Sequence, residues 1–196
     1  MINKISVLVL AIFALISCDN EQEVLRNDFK GHYKIVKMTA DRAFDLNNDG
    51  VQSSDLYAEI SAPMYIGNPD DKPIPFYIFD QWISYAEIRP AFEDQIDYQL
   101  ALFNLPIQLL DIDKDSGLMF FSYSQDVASY VYSFTSNGDI TLTQGNHGTN
   151  ELIQVEGIDR IDKDTFVLTA QAKYYDFKDK QWFETQMQVT YHRLVR

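Results

Sequence analysis

A single cysteine, Cys18, occurs in the 196 residues, so no intrachain disulfide can form and no four-cysteine zinc site exists. Basic residues are scarce: Lys and Arg number 16 against 29 Asp and Glu, a net charge of −13. Phosphate backbones are a poor match for such a chain, which sets nucleic acid aside as a partner. His32, His147 and His192 stand apart with no HExxH pattern, and this removes the usual basis for a transition-metal site. GxSxG, P-loop and GxGxxG patterns are all missing. Carboxylates are plentiful, but an acidic chain carries them on its surface in any case. The sequence makes no positive case for an enzyme. No long stretch of 3.6-residue periodicity follows residue 30, and no repeat or change of composition divides the chain, so one domain is expected.

Aromatics are abundant, with 12 Tyr and 13 Phe, and 46% of residues are hydrophobic. That composition belongs to a folded globular protein. Short β-prone runs recur from residue 31 onwards. They are predicted at Gly31–Met38, Phe76–Phe79, Trp82–Arg89, Tyr98–Leu102, Ile107–Leu110, Leu118–Ser124, Ala128–Thr135, Ile140–Thr143, Leu152–Val155, Thr165–Tyr174 and Trp182–Val195. Asn137-Gly138 is the dipeptide most favoured in a two-residue hairpin, and Asp179-Lys180 suits a second hairpin tip. Leu56–Ser61 reads as a short helix, and the proline-rich Pro63–Pro75 as an irregular connection. Alternation is clearest at the end of the chain. Phe183, Thr185, Met187, Val189 and Tyr191 share one face; Glu184, Gln186, Gln188, Thr190 and His192 share the other. One buried and one wet face mean an antiparallel sheet, and many such runs at short spacing predict an all-β barrel or sandwich.

The N-terminus has its own texture. Met1–Lys4 carries one positive charge, and Ile5–Ile16 is twelve residues of almost wholly apolar character. That length fits a signal h-region and is short of the roughly 20 residues a spanning helix needs. The run ends in Leu15-Ile16-Ser17-Cys18, which resembles the lipobox of bacterial lipoproteins. The resemblance implies a signal peptide over 1–17, a diacylglycerol thioether on Cys18 with acyl chains such as palmitate, and a membrane held as partner through that lipid. Residues 18–29 are then an acidic tether. Asp19 to Glu23 resembles either a retention signal for the inner membrane or an acidic export signal.

The domain over 30–196 resembles the lipocalin-like lipoproteins of Gram-negative bacteria. Gly31-His32-Tyr33 stands where that family opens its first strand with Gly-x-Trp, here with Tyr33 for Trp. The closing Tyr191-His192-Arg193 resembles the last strand, whose arginine packs near the opening aromatic. The resemblance implies a single antiparallel lipocalin-like β-barrel with a short helical segment. It also implies a place in the cell envelope, anchored to the outer membrane with its face left open. The function it implies is binding of a small hydrophobic or amphipathic ligand. The alternative is a structural or interaction lipoprotein that docks a partner protein or glycan. The first and last strands are expected to pair, with the Arg193 guanidinium over the Tyr33 ring.

One loop carries a ligand-like pattern. Asp45, Asn47 and Asp49 fall at positions 1, 3 and 5 of an EF-hand-type loop, Gly50 at 6, the Val51 carbonyl at 7 and Ser53 at 9. Leu56 replaces the closing Glu, with Asp55 one residue early and Glu59 three late. These residues suggest weak Ca²⁺ binding; the plainer alternative is a turn whose Asp and Asn side chains satisfy backbone groups. Asp111–Gly117 alternates carboxylates too, but it lacks the glycine and reads as a hairpin turn. The aromatics of the last hairpin, Tyr174, Tyr175, Phe177, Trp182, Phe183 and Tyr191, are expected to fill the barrel, with a few lining a cavity as the functional alternative.

Overall fold

Strand periodicity becomes burial most plainly in the last strand. Thr185, Met187, Val189 and Tyr191 are buried, while Glu184, Gln186, Gln188 and His192 are exposed. The computed structural model describes residues 23–62, 85–92, 95–112, 115, 119–146 and 152–194. Helix α1 spans residues 23–29. Strand β1 (Gly31–Phe44), the short β2 (Ser53–Asp55) and helix α2 (Leu56–Ser61) follow. Next come β3 (Tyr85–Phe92), β4 (Gln95–Ile112), β5 (Met119–Phe134), β6 (Ile140–Asn146) and β7 (Ile153–Arg160). The chain closes with β8 (Thr165–Asp176) and β9 (Gln181–Arg193).

The hydrogen-bonded order is β6-β5-β4-β3-β1-β9-β8-β7, with β2 beside β1. All these pairings are antiparallel, as the alternation predicts, and the chain forms a nearly closed up-and-down barrel of eight strands, the barrel of the two architectures the strand spacing leaves open. The first and last strands meet: Tyr33 pairs with Arg193 and Ile35 with Tyr191. Among the described residues no ladder joins β6 to β7, so the seam of the barrel lies there.

The long β4–β5 hairpin differs from expectation. Tyr98–Leu102 and Ile107–Leu110 are one strand, and so are the two runs predicted within 118–135. Their register is unbroken from Gln99↔Tyr132 to Ile112↔Met119. Asn104 and Pro106 resemble a turn in the sequence, yet both lie inside the strand. Proline is tolerated because the ladder to β3 ends at Phe103, so its missing N–H interrupts no described bond on that side. Across this stretch the hairpin changes the face it shows the core. Ala101, Tyr130 and Tyr132 are buried below; Gln108, Phe121 and Tyr123, on the opposite face of the same ladder, are buried above. At the crossover both faces are covered, with Asn104, Leu105 and Ile107 all buried. Strand twist accumulated along a long hairpin gives this rotation.

Two further details depart from the sequence reading. The β5–β6 turn holds three residues, not two: Thr135 and Asp139 close it, and Gly138 sits at φ +84°. This is a type I turn followed by a left-handed glycine. Residues 23–29, read from sequence as part of the tether, form α1 and bury Phe29 in the core. The strand expected at Phe76–Phe79, the start of the Trp82 run and the Pro63–Pro75 connection lie outside the described residues, as does His147.

The core is aromatic. Phe29 packs edge-on against Tyr132, Phe134 and Phe166, and Phe166 stacks on Tyr191 at 4.8 Å. Tyr33, Phe103, Tyr174 and Met187 are fully buried around them. Each such side chain contributes about 1.5–3 kcal/mol on leaving water.

Candidate functional site

The loop at residues 45–50 is built largely by its own side chains. Asp45 is buried, and its two carboxylate oxygens accept from the amides of Asp49 at 3.1 Å and Gly50 at 3.0 Å. Asn47 Oδ1 also accepts the Asp49 amide at 3.1 Å, and its Nδ2 donates to Asp49 Oδ2 at 3.1 Å. Asp49 Oδ1 accepts from Val51 at 2.8 Å. Asn48 and Gly50 take positive φ, which lets the chain curl so tightly. The structure therefore brings Asp45, Asn47 and Asp49 together, as their spacing predicts. Val51 is exposed. Ser53 and Asp55 belong to β2, paired with Phe44 and Thr39, and Asp55 caps α2 by accepting from the Ala58 amide. Those last two side chains therefore serve the strand and the helix.

Glu59 turns back from α2 beneath the loop. It is buried and accepts from the Leu46 amide at 3.0 Å. Burial pushes its carboxyl up to about 7; the Leu46 amide opposes the rise, and the negative charges of Asp49 and Asp45 add to it. Burial also raises Asp45, against the pull of the Gly50 amide. Among the described residues no three His, Cys, Asp or Glu side chains are arranged to hold a metal ion.

The same end of the barrel is sealed by a side-chain bridge that sequence reasoning missed. Gln108 on β4 accepts from the Tyr175 amide at 2.6 Å and donates to the Tyr175 carbonyl at 3.2 Å. The amide side chain thus pairs with β8 as a strand neighbour would, beyond the point where the β7 ladder ends at Ala172. Gln108 also donates to Tyr123, whose hydroxyl donates to the Leu46 carbonyl at 2.7 Å. Nearby, the Tyr174 hydroxyl donates to the Pro106 carbonyl at 3.0 Å. Loop, β4, β5 and β8 are tied into one buried polar network, and no local motif marks Gln108 for this role.

The opposite end is tied by Arg193. Its guanidinium lies 4.8 Å from the Tyr33 ring centroid, as the resemblance of the closing strand implies. It donates to the Tyr33 hydroxyl at 2.6 Å, to Asp164 Oδ1 at 3.0 Å and to the Lys163 carbonyl at 2.8 Å. The carbonyls of Asp28 and Lys30 also accept from it. These carbonyls lie at the C-terminal end of α1, where a cation meets unsatisfied acceptors. Burial pushes the Tyr33 phenol up to about 12, with Arg193 opposing.

Clefts open on the surface among the described residues. One, of about 1190 Å³, lies beside the start of β1 and the end of β3, lined by Lys30, His32, Arg89, Lys163 and Arg193 among others. Another, of about 420 Å³, is lined by Leu109, Leu110, Phe121, Leu152 and Trp182. Cys18 lies outside the described residues. Compared with known proteins, the chain matches no family model, no curated protein and no solved structure.

Proposed function

We propose that this chain is a lipid-anchored lipoprotein of the bacterial cell envelope, held through Cys18, whose barrel acts from its surface as a non-catalytic module for a partner protein or glycan. The observation that supports it is the filled interior. Phe29 and α1 plug one end, the Gln108–Tyr123 network plugs the other, and Phe103, Phe166 and Tyr191 pack between them. A barrel that carries a ligand inside needs a lined cavity, and the described core holds side chains there. The lipobox pattern supports the anchor and the envelope location, with the outer membrane as the favoured site.

A second reading, a small amphipathic ligand inside the barrel, is favoured by Tyr191. Its hydroxyl is fully buried and has no hydrogen-bond partner among the described residues, and such a group costs about 1–3 kcal/mol. Native mass spectrometry of the extracted full-length protein separates the two. The expected spectrum shows acylated protein alone, and a stoichiometric small-molecule adduct moves the reading to the interior. Cys18→Ser is expected to leave the chain unprocessed and unacylated; full processing and membrane retention of that variant defeats the lipoprotein reading.

A further inference from the structure

We propose that the α1 end of the barrel rests on the phospholipid surface, with Val24, Ile161 and Leu194 at headgroup level and Lys30 and Lys163 on lipid phosphates. The proposal rests on the anchor reading and adds an orientation and a contact to it. Three observations carry it.

The first is reach. Helix α1 is described from residue 23, with four residues and five Cα–Cα steps between it and Cys18. Fully extended they span at most about 18 Å. Strand β9 alone has 13 residues, which run over about 40 Å at the usual strand rise. An anchored chain therefore holds the α1 end against the membrane and keeps the 45–50 loop away from it.

The second is charge. Among the described residues the larger cleft is lined by four cations, Lys30, Arg89, Lys163 and Arg193, against two acids, Glu87 and Asp164, with Asp28 and Asp162 at the same end of the barrel. A locally positive lining in a chain of net charge −13 is a marked asymmetry. The far end carries five acidic groups, Asp45, Asp49, Glu59, Asp176 and Asp179, against three cations, Arg42, Lys178 and Lys180. Anionic headgroups attract the cations of the cleft lining and repel the loop carboxylates. Arg193 is spent on the fold, but Lys30 has no ion pair among the described residues, and Lys163 meets Asp164 only at 3.9 Å.

The third is exposed apolar surface at the same end. Ile161 is 62% exposed, Val24 59% and Leu194 38%. They flank the Arg193 clamp: the Ile161 amide bonds Thr165, the Leu194 amide bonds His32, and Val24 lies on α1. Leu194 shares the cleft lining with Lys30 and Lys163, and apolar side chains beside lysines suit the boundary between headgroups and acyl chains.

The test uses the full acylated protein in vesicles of phosphatidylethanolamine with a minority of phosphatidylglycerol, part of the lipid carrying a headgroup-level spin label. With Cys18 acylated, a single added cysteine is the only free thiol for a fluorophore. Ile161→Cys and Leu194→Cys place it at the α1 end, and Val51→Cys places it at the far loop. Quenching several-fold stronger at 161 and 194 than at 51 is expected. Equal quenching at the two ends, with mass spectrometry showing the lipid on Cys18, overturns the seating while the anchor stands. Absence of that lipid overturns both. Lys30→Glu with Lys163→Glu, both exposed, is expected to weaken quenching at 194 on these vesicles. Unchanged quenching in that variant overturns the role given to the lysines.

Discussion

At the α1 end, Phe29, Tyr33, Tyr132 and Phe166 pack ring against ring, and one guanidinium ties the last strand to α1 and the first strand across them. At the other end, Gln108, Tyr123, Asp45 and Glu59 thread hydrogen bonds between a loop, a helix and three strands. The first closure relies on apolar area and a charge that does not titrate. The second relies on amides and on a carboxyl that titrates near neutrality. One barrel thus has an end clamped by a fixed positive charge and an end that depends in part on a carboxyl whose pKa burial raises.

Arg193→Ala is expected to break the comparison most severely. It removes the donors to Tyr33, Asp164 and the α1 carbonyls at once, for a loss of about 4 kcal/mol. For a chain of this size that is a fall in Tm of roughly 8–16 °C by calorimetry. Arg193→Lys is expected to recover only part, because an ammonium cannot fork to several acceptors. A fall of a degree or two would mean that the rings hold this end without the clamp.

Gln108→Leu attacks the other closure. It strands the buried Tyr175 amide and carbonyl, at about 3 kcal/mol, and chemical denaturation reads the difference. Fast amide exchange at Tyr175 in the variant would locate the damage; protection equal to the parent would show that another group takes over.

Glu59 sharpens the contrast. Its folded-state carboxyl titrates near 7, above the ordinary 4.5, so the folded state holds the proton more tightly than the unfolded one. Stability from this group is therefore highest below about pH 4.5, declines as pH rises to 7 and stays lower beyond, by on the order of 2 kcal/mol. Glu59→Gln keeps an oxygen for the Leu46 amide and is expected to flatten the parent's stability profile over this window. Equal slopes in parent and variant would contradict the shift. The smallest effect is expected from Ca²⁺. The loop oxygens already hold backbone amides, which supports the self-satisfied turn of the two alternatives read from sequence. A millimolar addition should move the Tm by less than about 1 °C. A clear rise that Asp45→Asn or Asp49→Asn abolishes would establish the cation instead.

Much of the fold was legible because one-sided burial writes itself as alternation. The β9 faces, the α2 span and the Tyr33–Arg193 contact were all readable from local pattern or resemblance. The β4–β5 crossover was not, since burial on both faces erases the period, and Asn104 and Pro106 imitate a turn. Of the loop residues, Asp45, Asn47 and Asp49 assemble as their spacing implies. Ser53 and Asp55 do not join them, because pairing with β1 decides their place and a short sequence motif carries no record of such a partner. Gln108 was invisible for the same reason: its partner is 67 positions away.

The seam between β6 and β7 bears on how the domain loosens. Elsewhere around the wall each strand is laced to two neighbours, so opening one ladder leaves the other in place. At the seam no ladder joins β6 to β7 among the described residues. Under a mild solvent challenge the wall should part there first, like a jacket along its zip. Proteases and deuterium would then enter through the interval between residues 140 and 160 while the β1–β9 side stays shut.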